Sequence, residues 1–118
     1  MEKLFSNVRR KVTLVAFRVT QGDQYNILLR LDANGEPIPL DKVSLIEFTV
    51  GTLSKLYPTE VQYDGEQQQF LFPVTQEETF LFNEREMVQA RIKYMNGDVI
   101  GTPQNQFPVR DSLSKNII

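Results

Sequence analysis

Residues 87–102, MVQARIKYMNGDVIGT, constrain the fold of this chain more than any other segment. Between residues 88 and 94 apolar and polar side chains alternate, which is typical of a strand with one buried face. Asn96-Gly97 follows, and this dipeptide favours the two positive φ angles of a type I′ turn. The sequence therefore predicts a β-hairpin whose second strand, residues 98–102, returns antiparallel.

The two faces of this hairpin differ in polarity. In the predicted register Tyr94 lies opposite Val99, and Ile92 lies opposite Gly101, all on the buried face with Val88. The other face of the first strand is polar and points outward. We predict that it contacts an acidic neighbour through three side chains: Gln89, Arg91 and Lys93.

The composition argues against an enzyme and against a metal site. The chain has 118 residues, which is enough for one domain with its own core. It has no cysteine, so disulfides and thiolate metal sites are excluded. It also has no histidine, the commonest general base and metal ligand. No pair of carboxylates, lysines or tyrosines forms a catalytic motif, so we predict no catalytic residue and no cofactor.

Charge and hydropathy also limit the partners. The net charge is −2, too close to balance for nucleic acid or an anionic membrane to be the main partner. The longest apolar runs, at residues 12–17 and 80–82 among others, are too short to cross a bilayer. Arg18 interrupts the first run, and no signal-peptide cleavage site follows it. We therefore expect a protein that is made and kept in the cytosol unless an assembly carries it elsewhere.

Alternating segments recur along the chain and predict an all-β fold. Strands are expected at residues 12–17, 24–31, 43–50, 67–74 and 104–109 besides the hairpin, with residues 51–58 as a connection. Pro103 and Pro108 place the last strand at a sheet edge. Three rows are predicted to face the core together with the hairpin: Tyr25, Ile27, Leu29 and Leu31; Ile46, Phe48 and Val50; Phe70, Phe72 and Val74.

Two short polar segments are assigned to local structure. Residues 32–36, DANGE, alternate oxygen ligands, but a calcium loop would place Pro37 where glycine is needed and Val43 where glutamate is needed. A plain Asn-Gly turn is the better interpretation. Thr75 and Glu78 have the spacing of a capping box, which predicts one helical turn. The paired Glu77 and Glu78 suit capping better than acid–base chemistry.

These elements predict a single antiparallel β-sandwich, immunoglobulin-like or jelly-roll-like, with seven to eight short strands and at most one short helical turn. The sandwich domain covers residues 12–110. Residues 1–11 form a basic N-terminal arm, either a solvated lead-in or an arm that docks on an acidic partner through Arg9, Arg10 and Lys11, and nucleic-acid contact is the weakest alternative. Residues 111–118 form a C-terminal tail that ends in Ile117 and Ile118, which pack on the same domain or contact a partner.

Acidic residues are concentrated between positions 60 and 86, against the single base Arg85. This acidic segment and the basic arm are complementary, which suits head-to-tail association between copies, although a solvated charge asymmetry explains them equally simply. The acidic residues are Glu60, Asp64, Glu66, Glu77, Glu78, Glu84 and Glu86.

Two segments carry a resemblance to a known family. Residues 17–23, FRVTQGD, precede a strand and a DANGEPIPL turn, and residues 71–114 run from FPVTQEETF through VQARIKYMNGDVIGT to FPVRDSLSK. Both are similar to the N-terminal β-sandwich domain of baseplate upper proteins of tailed bacteriophages and to related tail or neck accessory proteins. We expect this chain to depart from a full baseplate upper protein in lacking the long C-terminal extension that would carry its receptor-binding part.

The resemblance implies a non-enzymatic virion structural or assembly protein of a phage or prophage. It implies self-association into a homo-oligomer, contacts with other phage structural proteins, and a place in the virion after assembly in the bacterial cytoplasm. A carbohydrate-binding or host-adhesion module is the alternative, because tyrosine rings stack on sugars. Its candidate residues are Tyr25, Tyr57, Tyr63 and Tyr94.

Overall fold

The computed structural model of the chain describes residues 12–16, 19–20, 25–110 and 114–118. Its regular elements alternate along the chain with short turns and include one short helix, α1 (Gln76–Phe80), and a 3₁₀ turn (Leu40–Lys42). The strands are β1 (Val12–Ala16), β2 (Val19–Thr20), β3 (Tyr25–Ala33), β4 (Glu36–Pro37), β5 (Val43–Val50), β6 (Leu53–Tyr57), β7 (Gln62–Asp64), β8 (Gln69–Val74), β9 (Arg85–Tyr94), β10 (Val99–Gly101) and β11 (Asn105–Arg110).

The strands form two sheets, which confirms the predicted all-β sandwich. The first sheet has the order β1-β3-β8-β7, and β4 pairs with β3 beyond the end of β8. The second sheet has the order β2-β11-β9-β5-β6, and β10 pairs with β9. All pairings are antiparallel except the two-residue contact of β2 with β11. There are more strands than the seven to eight predicted, because several pairings involve only two or three residues.

The core lies between the sheets and is built from the predicted alternating rows. Every inward residue predicted on β5 and β8 is buried, as are Ile27, Leu29 and Leu31 on β3 and Val88, Ala90 and Ile92 on β9. The side chain of Tyr25 lies outside the described part of the structure. The rings of Phe48 and Phe70, one from each sheet, have their centroids 4.9 Å apart. Phe70 therefore joins the two layers at their centre.

Polar contacts join the sheets on both sides of this core. On one side Lys55 of β6 donates a 2.6 Å hydrogen bond to the carbonyl of Pro73 in β8. On the other side the amide of Asn105 in β11 donates to the carbonyl of Leu14 in β1 over 2.8 Å. Each bond satisfies a main-chain acceptor where a strand approaches the opposite sheet.

The predicted connection at residues 51–58 is wrong, because residues 53–57 are strand β6. It pairs with β5 in the register Val50 opposite Leu53, so Gly51-Thr52 is a two-residue hairpin turn. Gly51 has a φ of +62°, the conformation that type II′ turns require at their first central position. Gly51 therefore lies in the turn between β5 and β6. The sequence analysis had assigned this segment to an irregular connection.

Two turns behave as predicted. Asn34 and Gly35 both have positive φ, at +56° and +85°, and join β3 to β4 as a tight hairpin. Thr75 caps α1, since its hydroxyl accepts from the Glu78 N–H while the Glu78 carboxylate accepts from the Thr75 N–H. The capping box is confirmed.

The last strand was predicted to lie at a sheet edge, and this is correct only in part. The two-residue strand β2 pairs with Val109 and Arg110 at the end of β11.

The predicted register of the β9–β10 hairpin is wrong by one residue. Val99 lies opposite Lys93 and Ile100 lies opposite Ile92, instead of Val99 facing Tyr94. The cause is the turn: Tyr94 N–H donates to Asp98 O over 2.8 Å, which leaves three residues in the loop, and Gly97 alone of them has a positive φ, +98°. This is the three-residue loop with a glycine bulge, not a type I′ turn.

The shifted register exchanges the faces of β10. Ile100 is turned inward and Val99 points out, with half of its surface exposed. A second irregularity follows at Thr102, which is buried although polar. Its hydroxyl accepts from the Ala90 N–H at 3.0 Å, and its own N–H donates to Ala90 O at 2.9 Å. The hydroxyl thus replaces a main-chain acceptor between β10 and β11.

We expect Gly97→Ala to lower the free energy of unfolding by about 1 kcal/mol. A Cβ at this position meets no atom within 4 Å, so the cost is that of holding alanine at φ +98°. Gly65→Ala is the matched control, because its Cβ is equally unobstructed and its φ lies outside the positive range. Urea denaturation followed by circular dichroism measures both, and equal stability of the two variants would contradict the assignment of the turn.

Candidate interaction surface

The outward face of the second sheet carries the polar residues predicted for the hairpin. Arg91 and Lys93 are exposed and Gln89 is half-buried. Arg91 lies opposite Glu47 in the β5–β9 register, and its guanidinium is 3.6 Å from the Glu47 carboxylate. This is a cross-strand ion pair on an exposed surface, so it orients the arginine more than it stabilises the fold.

Apolar side chains accompany these charges and form a shallow hollow, which we call the sheet depression. Leu56 and Val99 are exposed over 37% and 50% of their surface, and Leu45 is half-buried. The hollow has a volume of about 220 Å³. Its lining is Leu45, Glu47, Leu56, Arg91, Lys93 and Val99. An apolar floor with a charged rim is the composition of a protein–protein contact.

The apolar part of this surface was missed from the sequence. Leu56 was assigned to a connection, and Val99 was placed on the inward face by the wrong hairpin register. Leu45 lies two residues before Glu47 on β5, so both side chains point outward. A leucine at an outward position was the one sign of an apolar surface in the sequence. Only pairing across four strands brings these three residues to one place.

Gln89 is part of the internal structure of this face. Its side-chain amide donates to Thr102 O over 2.8 Å, beside the bulge that joins β10 to β11. A second hollow, of about 230 Å³, lies at this level and is lined by Thr49, Gly51, Met87, Val88, Gln89 and Gln104. Gln89 thus links β9 to the segment after β10 by a hydrogen bond, on the same face of β9 as Arg91 and Lys93.

The other predicted contact residues lie elsewhere. Arg9, Arg10 and Lys11 are outside the described residues. Ile117 and Ile118 are exposed, and the tail touches α1: Ile118 N–H donates to the Gln76 side chain over 2.8 Å, and Lys115 lies 5.9 Å from the Phe80 ring centroid. The tail therefore contacts its own domain and still presents apolar side chains to solvent.

The acidic residues do not form one face. Asp64 and Glu66 lie at the turn before β8, while Glu77 and Glu78 lie in the helix after it. The six residues of β8 separate these groups by about 20 Å. Three of the carboxylates also bind their own main chain: Asp64 accepts from Glu66 N–H, Glu60 from Leu56 N–H, and Glu86 from Asn83 N–H.

Three tyrosines considered for sugar binding pack against the core. The Phe70 ring centroid is 5.2 Å from that of Tyr57 and 4.8 Å from that of Tyr63, and Tyr94 is also half-buried against the core. Burial raises the pKa of the Tyr63 hydroxyl, with further contributions from Tyr57, Asp64 and Asp32. These rings therefore pack against other side chains instead of lying flat on the surface.

The described part of the chain lacks the features of two other classes of function, metal binding and membrane crossing by a helix. In the part of the chain that the structure describes, the aspartate and glutamate side chains nowhere gather in a group of three that could hold a metal ion. Within the same residues, no helix has the length and apolar character needed to cross a membrane. No protein-family model matches the sequence, and no curated protein matches it significantly.

Proposed function

We propose that this chain is a non-enzymatic structural or assembly protein of a phage or prophage virion, a component of the tail, baseplate or neck. It acts through association with copies of itself and through contacts with other phage structural proteins. It is made in the cytoplasm of the bacterial host and resides in the virion after assembly. No cofactor, nucleic acid or membrane takes part in this function.

The sheet depression is the observation that carries the binding part of the proposal. Leu45, Leu56 and Val99 face outward on a sheet whose inner face already forms the core. Apolar side chains grouped on an outer face lose contact with water only when a partner covers them. The adjacent cations, Arg91 and Lys93, favour an acidic partner and fix its orientation.

The virion part rests on the resemblance of two segments to phage baseplate, tail and neck proteins. The DANGEPIPL segment forms the β3–β4 hairpin and the chain that follows it, and residues 71–110 run from β8 to β11 and include the β9–β10 hairpin. Both segments are turn and strand positions of one sandwich. The identity of the adjacent genes tests this part: capsid or tail genes are expected there, and a metabolic operon would contradict the proposal.

We expect Arg91→Glu to weaken association about tenfold, because it sets a carboxylate against an acidic partner and beside Glu47. Size-exclusion chromatography with light scattering measures the mass of the wild-type chain and the variant, alone and mixed with the products of the adjacent genes. The wild-type chain should exceed its monomer mass of 13.7 kDa or bind one of those products.

Arg30→Glu is the matched control for this experiment. Arg30 is exposed on β3 of the first sheet and pairs with Asp32 at 3.6 Å, the same separation as the Arg91–Glu47 pair. It should leave association unchanged, so an equal loss in both variants would indicate a general effect of net charge. A wild-type chain that stays monomeric at high concentration and binds no adjacent gene product contradicts the proposed function.

A further inference from the structure

We infer that copies of this chain join by placing Leu81 of one copy in the sheet depression of another. This inference rests on the proposed function and identifies the partner of the surface described above as a second copy. The inserted part, which we call the Leu81 knob, consists of Leu81 with the carboxylates of Glu77 and Glu84.

The knob projects from the end of α1. Leu81 is the C-cap residue of the helix, and 63% of its surface is exposed. Its neighbours Thr79 and Phe82 are buried, so the chain is anchored on both sides of it. Glu77 lies four residues earlier on the same side of the helix, and Glu84 follows three residues later; both are exposed. An apolar side chain thus lies between two exposed acidic residues in the sequence, and the nearest cation of the tail, Lys115, lies over the preceding Phe80 ring at 5.9 Å.

The sheet depression has the complementary arrangement. Its apolar floor, Leu45, Leu56 and Val99, is of a size to receive one leucine side chain, and its rim carries Arg91 and Lys93. The Glu47 carboxylate is already 3.6 Å from Arg91, which leaves the rim with an excess of positive charge. Two carboxylates on the knob match these two cations, so apolar burial and charge favour the same contact.

Other exposed apolar side chains suit the depression less well. Ile117 and Ile118 stand in a tail that already contacts α1 of its own domain, since Ile118 N–H donates to the Gln76 side chain over 2.8 Å. Met95 lies at the tip of the β9–β10 hairpin, on the same strand pair as the depression itself. Leu81 alone among the exposed apolar residues within the described part of the chain has acidic residues within four positions on both sides, and Arg85 is the one cation in residues 77–85.

A single copy does not fill its own depression. A Cβ built on Gly51 would lie 3.5 Å from Phe82, the residue after Leu81, so the knob stands near the Gly51 end of β5. Glu47, in the depression, is four residues along that strand, about 13 Å away. The contact therefore forms between copies, and it unites two different surfaces. Such contacts close into a ring or a reciprocal pair, or continue as an open array.

Two variants, each with one surface impaired, test this contact. Leu81→Lys places a cation against Arg91 and Lys93, and Val99→Glu places a carboxylate against Glu77 and Glu84. Both positions are at least half exposed, so the fold should be retained, which circular dichroism melting checks. Each variant alone should self-associate at least tenfold more weakly than the wild-type chain in sedimentation velocity runs.

Mixing the two variants gives the decisive result. The intact depression of the Leu81→Lys chain can receive the intact knob of the Val99→Glu chain, so an equimolar mixture should form a complex of two chains with near wild-type affinity. Met95→Glu is the control, because it changes an exposed apolar residue outside both surfaces and should associate normally. A mixture that remains as weak as its components overturns the inference.

The same experiment separates this inference from the proposed function. If the wild-type chain self-associates and Leu81→Lys associates equally well, the knob contact is wrong while self-association stands. If the wild-type chain does not self-associate at all, the knob contact is also wrong, and the proposed function then depends on binding to adjacent gene products. Only the loss of both kinds of binding removes the proposed function.

Discussion

Replacing Phe70 by alanine should lower the free energy of unfolding by about 4 kcal/mol, the largest effect of any single substitution that we expect in this chain. Phe70 is 1% exposed, and its ring centroid lies within 5.2 Å of those of three other rings: Phe48, Tyr57 and Tyr63. Alanine leaves a cavity between the two sheets and removes all three ring contacts. Urea denaturation followed by circular dichroism measures the loss.

The aromatic cluster also provides a spectroscopic test. The chain has four tyrosines and no tryptophan, so its near-ultraviolet circular dichroism reports mainly on tyrosine packing. Two of the four touch Phe70, and Phe70→Ala should therefore reduce this signal even where the protein stays folded. Phe70→Leu should cost less than half as much as alanine, because it fills most of the cavity.

Leu81→Ala is the control for this prediction, since a mostly exposed leucine should change stability by less than about 0.5 kcal/mol. If Phe70→Ala cost no more than this control, the aromatic cluster would not be the centre of the core.

Much of this core could be predicted from alternation alone. On β5, β8 and β9 a period of two in apolar residues assigns each side chain to a face, and the structure agrees at every predicted position. The reason is physical: a strand with one buried face has no freedom to exchange its faces without exposing the whole row. The capping box at Thr75 was also predictable, because all its partners lie within four residues.

Features that depend on distant partners were not predictable in the same way. Strand β6 reads LSKLY, and its Lys55 occupies an inward position where an apolar residue is expected. The strand becomes recognisable only once the ion pair of Lys55 with Glu78, 23 residues away, is known.

The predicted register of the β9–β10 hairpin was wrong for a local reason. Asn96-Gly97 is compatible with both a two-residue and a three-residue loop, and pairing along β9 and β10 favours the longer one.

Of the candidate site, the sequence predicted the charged residues but not the apolar ones. Its charged rim, Arg91 and Lys93, follows from the outward face of β9. Its apolar floor does not, because Leu45, Leu56 and Val99 come from three strands and two of those positions were misassigned. Assembly of a surface across strands requires the sheet order, which periodicity along one strand does not contain.

The contact that revealed β6 is also expected to be the most pH-sensitive part of the fold. The Lys55 ammonium is 3.1 Å from the Glu78 carboxylate, donates to Pro73 O over 2.6 Å, and lies 5.3 Å from the Phe72 ring centroid. The two side chains are only 15% and 26% exposed. Together they attach the edge strand of the second sheet to the first sheet and to α1.

We expect Lys55→Met to lower the free energy of unfolding by about 2 kcal/mol. Methionine keeps much of the volume but removes the side-chain donor to Pro73 O and the cation that pairs with the Glu78 carboxylate, which then keeps only its bond from Thr75 N–H. The double variant Lys55→Met/Glu78→Gln should recover part of this loss, because no charge then remains half-buried. Urea denaturation of the two single variants and the double variant measures the coupling, and strictly additive losses would show that the pair does not act as a unit.

The acid dependence of this contact follows from Glu78. Burial would raise the pKa of its carboxyl, but the hydrogen bond from Thr75 N–H and the charge and hydrogen bond of Lys55 outweigh it and lower the pKa below the ordinary value of 4.5. A carboxyl whose pKa is lowered by folding stabilises the protein above its unfolded value and loses that contribution as the pH falls through its folded value. The difference in the free energy of unfolding between wild-type and Glu78→Gln should therefore be largest at neutral pH and shrink below pH 4.5.

Glu77→Gln is the control, because Glu77 is exposed, and its difference in the free energy of unfolding from wild-type should stay small at every pH. A Glu78→Gln difference that is constant from neutral pH into this acid range would show that Glu78 is not held by Lys55 and Thr75.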